Sequence, residues 1–375
     1  LIAHSIISLF LTGLYLLVLA YLIKGWAALR RPKTDGASLT TKVTILIAAR
    51  DEEERIRYTI EDIIAQDYPR HLVEVIIVDD HSTDNTADII RSYATDGIIL
   101  MQLREDKPLN SYKKKAIAEA IARSTGELMV ATDADCRMGK NWLRAVVSYY
   151  ETHNPVMISS PVTYFEEKTL FELLQTLEFS YLIGIGAAFI GNGRASTCNG
   201  ANLAYRKDVF YEVGGFKGID DLASGDDELL LQKVAVKYPE RIGFLKNSEA
   251  IVYTHAKHTL QQFLQQRRRW ASKSTKYKDK WIVALAVCIW LFNLSLLVNA
   301  GLGFYNIFFL KLFLVQFLLK YIFEVAFLLP IAAFFKRTNL VGLLIILIPI
   351  HIIYFVYVGL IGNTRKYSWK GRTVR

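Results

Sequence analysis

Cysteine is scarce in this sequence. Cys136, Cys198 and Cys288 are scattered along 375 residues. An odd count without C-x-x-C spacing excludes a disulfide framework and a cysteine-bound zinc site, and fits reduced thiols. None of the seven histidines has metal-ligand spacing. The G-x-S-x-G, P-loop and G-x-G-x-x-G patterns are absent, so acyl hydrolases, P-loop nucleotidases and simple Rossmann dehydrogenases lose their support. There is no internal repeat and no low-complexity tract. With 52% hydrophobic residues the chain is no disordered polymer. Its formal charge of +9 is ambiguous by itself, pointing to nucleic acid, an acidic substrate or a membrane surface.

The apolar residues are unevenly placed. Leu1 to Ile23 has no acidic or basic group except His4, and is about long enough to cross a hydrocarbon core of roughly 30 Å. It lacks a basic start and a clear cleavage site, so an uncleaved signal anchor over residues 1–23 is expected. Trp281 to Gly303, Phe304 to Phe335 and Leu340 to Gly362 are further apolar stretches. The third contains Lys311, Lys320 and Glu324; the i,i+4 spacing of the last two lets them pair on one helix face. The organisation expected is an anchor at 1–23, a polar block at 34–280, a membrane region of two or three spans at 281–362, and a basic tail at 363–375.

The polar block is large enough for a full core. Val43 to Ala48, Val73 to Val78, Ile98 to Leu103 and Leu128 to Ala131 are short, apolar, strand-like runs. Between them, helices are predicted over Asp51 to Gln66, Thr83 to Tyr93 and Lys113 to Arg123, with Ser82, Thr83 and Asp84 as candidate caps. Alternation of this kind with continuous apolar strands predicts an α/β fold around a buried, mostly parallel sheet. Ligands in such folds bind at the carboxyl ends of the strands.

Acidic clusters fall at those ends. The second strand runs into Asp79-Asp80-His81-Ser82 and the fourth into Thr132-Asp133-Ala134-Asp135. Two such clusters facing one crevice crowd like charge unless something positive binds. A hard divalent cation bridging a diphosphate is the natural partner. Ser224-Gly225-Asp226-Asp227-Glu228 opens a later helix, and Gln265-Gln266-Arg267-Arg268-Arg269-Trp270 precedes the second apolar stretch.

Taken in order, these clusters resemble family 2 glycosyltransferases, and more closely the membrane-bound branch that includes cellulose, chitin and hyaluronan synthases. The matching pieces are Ala49-Arg50-Asp51-Glu52, Asp79-Asp80-His81-Ser82, Lys113 with Ala116-Ile117, Asp133-Ala134-Asp135, Asp226-Asp227 and Gln266-x-x-Arg269-Trp270. The resemblance implies a GT-A type fold, a nucleotide-diphosphate sugar donor with UDP the expected nucleotide, and an inverting, hexosyltransferase-like reaction. It implies that Asp80, helped by Asp79, binds the base and that Lys113 lies on the donor side. Asp133 would contact the nucleotide sugar or diphosphate and share with Asp135 the holding of Mg²⁺ or Mn²⁺. Asp227 matches the general base, with Asp226 beside it. Gln266, Arg269 and Trp270 match the motif that closes over the diphosphate, with Trp270 also on the acceptor path. Asn199 and Gly200 resemble the segment beside the acceptor. Three positions depart from the common pattern: Asp51 stands where Asn is frequent, Tyr112 where Gly is usual, and Asp226 where Glu is more usual.

The implied chemistry suits these residue types. Negative charge builds on the departing nucleoside diphosphate, where a cation and Arg269 would stabilise it. A single carboxylate on the opposite face suffices to take the acceptor proton during one-step inversion. The expected reaction is transfer to a hydroxyl of a glycan or lipid-linked acceptor, as a polysaccharide synthase or as an enzyme adding one sugar to a membrane lipid. A nucleotide-sensing transporter or receptor is the reading from another class.

The charge also divides. Residues 24–33, 257–280 and 364–375 carry 17 basic groups against one acidic, while the rest carries 28 basic and 35 acidic. The basic balance therefore sits on the membrane flanks, which removes the case for nucleic acid. Lys24, Arg30, Arg31 and Lys33 after the first segment, with Lys273, Lys276, Lys278 and Lys280 before the second, place the polar block on the cytoplasmic side of a multi-pass cell-membrane protein. The side of the basic tail, Arg365 to Arg375, stays open.

Overall fold

The computed structural model describes residues 1–32, 38–105, 109–273, 280–361, 367–369 and 372–374. Lys33, Lys276, Lys278, Arg365 and Arg375 lie outside the described residues. In chain order the helices are α1 (Ile2–Ala28), α2 (Ile56–Ile64), α3 (Thr86–Ser92), α4 (Tyr112–Arg123), α5 (Trp142–His153), α6 (Leu170–Gly191), α7 (Lys207–Glu212), α8 (Glu228–Lys237), α9 (Leu260–Ser272), α10 (Lys280–Leu302), α11 (Ile307–Phe334) and α12 (Leu344–Ile361). The strands of the domain are β1 (Val43–Ala49), β2 (Val73–Asp79), β3 (Ile98–Gln102), β4 (Leu128–Asp133), β5 (Arg137–Met138), β6 (Met157–Ser159), β7 (Val162–Tyr164), β8 (Leu203–Arg206), β9 (Ile242–Phe244) and β10 (Val252–Thr254).

Seven strands form one sheet in the order β3-β2-β1-β4-β8-β6-β9, and β5-β10-β7 form a small second sheet. β3, β2, β1 and β4 are parallel; β8 runs antiparallel between β4 and β6. Val43 pairs with both Val73 and Leu128, so β1, β2 and β4 end at one level. Their apolar runs are buried on both faces because helices such as α4 pack across them. The mostly parallel α/β fold expected from the alternation is the one observed.

Two helices start later than their apolar spacing suggests. Asp51 to Arg55 remain in a loop, with Asp51 at φ +48°. Their acids reach to the next turn: Asp51 accepts the Thr83 N–H (2.8 Å) and Glu53 the Asn85 N–H (3.0 Å). The carboxylates expected to sit at the first turn of a helix are used instead to clasp the β1 and β2 loops together. Asp84, at 3.0 Å, accepts the Thr86 N–H at the start of α3.

Five described helices are long and apolar enough to cross a membrane: α1, α6, α10, α11 and the stretch Thr338–Leu360. The sequence reading misses α6. Its most apolar window is 67% buried within the molecule, against 17% to 33% for the other four, so α6 is chiefly a packing element between the domain and the other helices. Thr169 and Glu172 form a capping box at its start. At its end, Gly191 and Ala188 meet Gly25 of α1 so closely that a Cβ on either glycine would strike the other helix's backbone carbonyl. The C-terminal end of α1 is fixed to the domain by Lys246, whose ammonium donates to the Trp26 and Leu29 carbonyls (2.9 and 3.2 Å).

Candidate active site

The parallel strands deliver their carboxylates to one cavity of about 880 Å³. Its floor is made by the loops after β1, β2 and β4, and its far wall by Asn199-Gly200, the Ser224–Glu228 segment and α9. Asp80, Lys113, Asp133, Asp135, Asn199, Gly200, Asp226, Asp227, Gln266, Arg269 and Trp270, the residues expected to bind, hold metal or catalyse, all line it; Asp79 does not. That carboxylate is buried and accepts the Ser82 N–H at 3.3 Å, which shapes the loop after β2. Asp80 does line the cavity, with its side chain against His81 at 3.1 Å.

Lys113, at the start of α4, bridges the two acidic walls. Its ammonium lies 2.7 Å from Asp133 and 3.2 Å from Asp226. Burial works against that charge, but Asp133 and Asp226 outweigh it and hold the ammonium above the usual lysine range.

Asp227 is held from several sides. One of its oxygens accepts the Glu228 N–H (2.6 Å) and the other the Gly200 N–H (3.0 Å). Gly225, at φ +88°, makes the turn that presents it. Gly200 packs closely on it, since a Cβ there would lie 3.3 Å from the Cβ of Asp227 and would require Asp227 to shift by a few tenths of an ångström. Burial pushes the Asp227 carboxyl up, yet Lys273, the two N–H groups and Lys113 prevail and keep it below the ordinary aspartate range. It is therefore ionised at neutral pH, with its proton-accepting form ready.

Asp133, Asp135 and Cys136 bring potential ligand atoms within 4.8 Å of one another. The Cys136 thiol is buried, and burial, Asp135 and Asp133 push its pKa well up, so it stays protonated. That leaves two hard carboxylates on a half-exposed floor, a donor set that suits Mg²⁺ or Mn²⁺ sharing diphosphate oxygens. Gln266, Arg269 and Trp270 line the opposite side from α9. Arg267, between them, faces away and pairs with Glu178 of α6 at 2.7 Å.

Sequence reasoning missed two lysines. Lys273 lies 2.6 Å from Glu228 and 3.6 Å from Asp227. It continues the spacing of Gln266, Arg269 and Trp270 by one more turn of α9, a signal that could have found it. Lys114 is 1% exposed and donates to three carbonyls of the loop before Asp226: Ile219 (2.6 Å), Leu222 (2.7 Å) and Ser224 (2.8 Å). Burial pushes its pKa down to about 8, with nearby aspartates opposing. No local spacing marks it.

Residues 44–214 match the model of glycosyl transferase family 2. The chain carries a family 2 glycosyltransferase domain. The chain is 29% identical over 245 residues to a probable glycosyltransferase, YdaM, of Bacillus subtilis (61% of this chain, 54% of that protein). It is 24% identical over 236 residues to a poly-β-1,6-N-acetyl-D-glucosamine synthase of Staphylococcus aureus (61% of this chain, 53% of that protein). Over 109 residues it is 33% identical to a β-monoglucosyldiacylglycerol synthase of Synechocystis (29% of this chain, 23% of that protein). The chain spans about half the length of the curated relatives it matches over the whole domain. A mannosyltransferase of Pyrobaculum calidifontis, solved with GDP-mannose and Mn²⁺, superposes with a TM-score of 0.61 at 18% identity, covering 94% of this chain and 99% of that one. The shared fold is of the GT-A type.

Proposed function

We propose that this chain transfers a sugar, with inversion, from a nucleotide-diphosphate sugar to an acceptor hydroxyl at a membrane. The observation that carries this reading is the gathering of two carboxylate sets in one cavity. Asp133 and Asp135 follow β4, Asp226 and an ionised Asp227 precede α8, and Lys113 joins the two sets through Asp133 and Asp226.

Asp80 meets the nucleotide base at the end of β2. Asp133 and Asp135 would hold Mg²⁺ or Mn²⁺, which supplies charge neutralisation for the leaving diphosphate. Lys113 and Arg269 add fixed positive charge on the same side, and Gln266 and Trp270 close the cavity over the donor. Asp227 orients the acceptor hydroxyl and takes its proton as the new bond forms. Asn199 and Gly200 shape the acceptor side, with Asp226 holding Lys113 in place. The transporter or receptor reading is set aside by the family match and by this complete set of groups.

The basic residues around α1 and before α10 support a cytoplasmic position for the domain, where nucleotide sugars are made. The Gln266-x-x-Arg269-Trp270 motif on α9 supports a second reading, repeated transfer to a growing glycan. The test is a panel of nucleotide sugars with Mg²⁺ or Mn²⁺, read for both transfer and slow donor hydrolysis. Turnover of one donor is expected; failure of every donor contradicts the proposal. A product of one added sugar or of many separates the two readings.

A further inference from the structure

The cavity does not end at Asp227. Its lining extends to the middle of α6, with Leu182, Ile183, Gly186 and Phe189, and to the first turns of α10, with Ile282 and Ala286. None of these six has a polar side-chain atom. Leu182 is 36% exposed and Ala286 is exposed, so the arm is open rather than filled. Both of its helices are apolar enough to lie in a membrane.

A glycan chain finds no hydrogen-bonding side chain among these six, and polar groups of the helices beyond are paired with one another. Asn299 donates to Gln316 (2.7 Å), Gln316 to Thr12 (2.9 Å), and Lys320 to Glu324 (2.7 Å). These groups are spent on one another between α1, α10 and α11. Near Asp227, Lys113 meets Asp133 and Asp226 while Lys273 meets Asp227 and Glu228, so four carboxylates share two lysines there, with Arg269 also lining the cavity. A negatively charged headgroup at Asp227 would meet like charge from Asp226, Asp227 and Glu228.

Building on the glycosyl-transfer reading of this cavity, we infer that the acceptor is a membrane lipid with an uncharged hydroxyl headgroup. The hydroxyl sits at Asp227 and the hydrocarbon chain lies between α6 and α10. The hydroxyl O–H bond breaks and its proton passes to Asp227. The oxygen bonds the anomeric carbon, and the bond from that carbon to the diphosphate breaks, its electron pair leaving with the diphosphate. One sugar is added per lipid, and the product leaves sideways into the bilayer.

The test uses the full chain in phosphatidylcholine vesicles with the donor panel and Mn²⁺. Three acceptors are compared: diacylglycerol, a phosphorylated long-chain alcohol and a soluble oligosaccharide. A singly glycosylated diacylglycerol that partitions into organic solvent is expected. Preference for the phosphorylated alcohol overturns the uncharged headgroup, and elongation of the oligosaccharide overturns the lipid. Ala286→Phe fills the arm at an exposed position. It is expected to lower the ratio of lipid product to free sugar at least tenfold, and Leu182→Asp is expected to do the same by charge. An unchanged ratio in both variants overturns the placement of the chain. Loss of donor hydrolysis as well as transfer in the unaltered protein would instead defeat the glycosyl-transfer reading beneath it.

Discussion

Two buried groups of lysines and carboxylates can be compared within this molecule. In the helix bundle, Lys320 meets Glu324 at 2.7 Å and also donates to Tyr15 (3.0 Å), which in turn hydrogen-bonds Glu324. In the cavity, Lys113 meets Asp133 at the same 2.7 Å. The first group is closed: one cation, one anion, both almost fully buried, with an aromatic ring 4.6 Å from the ammonium. The second is open: two lysines serve four carboxylates, and Asp133 keeps 38% of its side chain exposed. Equal distances thus hide different purposes. A balanced pair sealed from solvent ties α1 to α11. A surplus of carboxylate facing an open cavity calls for a cation and a ligand from outside.

That contrast can be broken in a graded way. Asp227→Asn has the largest expected effect, a loss of about 10²- to 10⁴-fold in transfer, with donor binding nearly unchanged. Equal loss of donor affinity, measured by titration calorimetry, would sink the assignment of the base. In the bundle, Lys320→Met strands Glu324 and should cost about 3–5 kcal/mol of stability. The double variant Lys320→Met, Glu324→Leu should recover most of that. Thermal unfolding in detergent reads both, and donor affinity should stay the same throughout. A drop in donor affinity there would mean that the closed pair is not merely a tie.

Lys114 gives a smaller and pH-dependent effect. Below about pH 8 its ammonium supplies three donors to the three carbonyls that position Ser224 to Asp227. As pH rises through about 8 the proton is lost, and with it one donor and the charge. Transfer should therefore fall on the alkaline side. Lys114→Met should lower kcat about tenfold, of the order of one charge-assisted hydrogen bond, and erase that limb. An unaltered alkaline limb in the variant would refute the role. The smallest effect belongs to Lys273→Met. With its leading opposing charge gone, Asp227 should titrate at higher pH, so the acid limb of the rate profile should move upward. A limb that stays put would remove Lys273 from the account.

What could be read from the sequence follows the range of the interactions. β1, β2 and β4 are continuous apolar runs, and their acids follow directly along the chain, so the floor of the cavity was legible. The Lys320–Glu324 pair was legible for the same reason, being one helical turn apart. α6 was not, because Glu172 and Glu178 interrupt its apolar run. Their partners are distant: His258 lies against Glu172, and Arg267 against Glu178. Lys114 was hidden as well, since its partners lie some hundred residues further on. The early start expected for α2 failed because the acids of Asp51 and Glu53 bind a loop rather than a helix end.

The account rests on the cavity's carboxylate surplus being a seat for a cation and a diphosphate. Mn²⁺ binding followed by electron paramagnetic resonance, with UDP or GDP added, tests this without any need for turnover. One bound ion that depends on the nucleotide is expected, and it should be lost in Asp135→Ala while Lys320→Met leaves it intact. Equal Mn²⁺ binding in the unaltered chain and in Asp135→Ala would contradict the account.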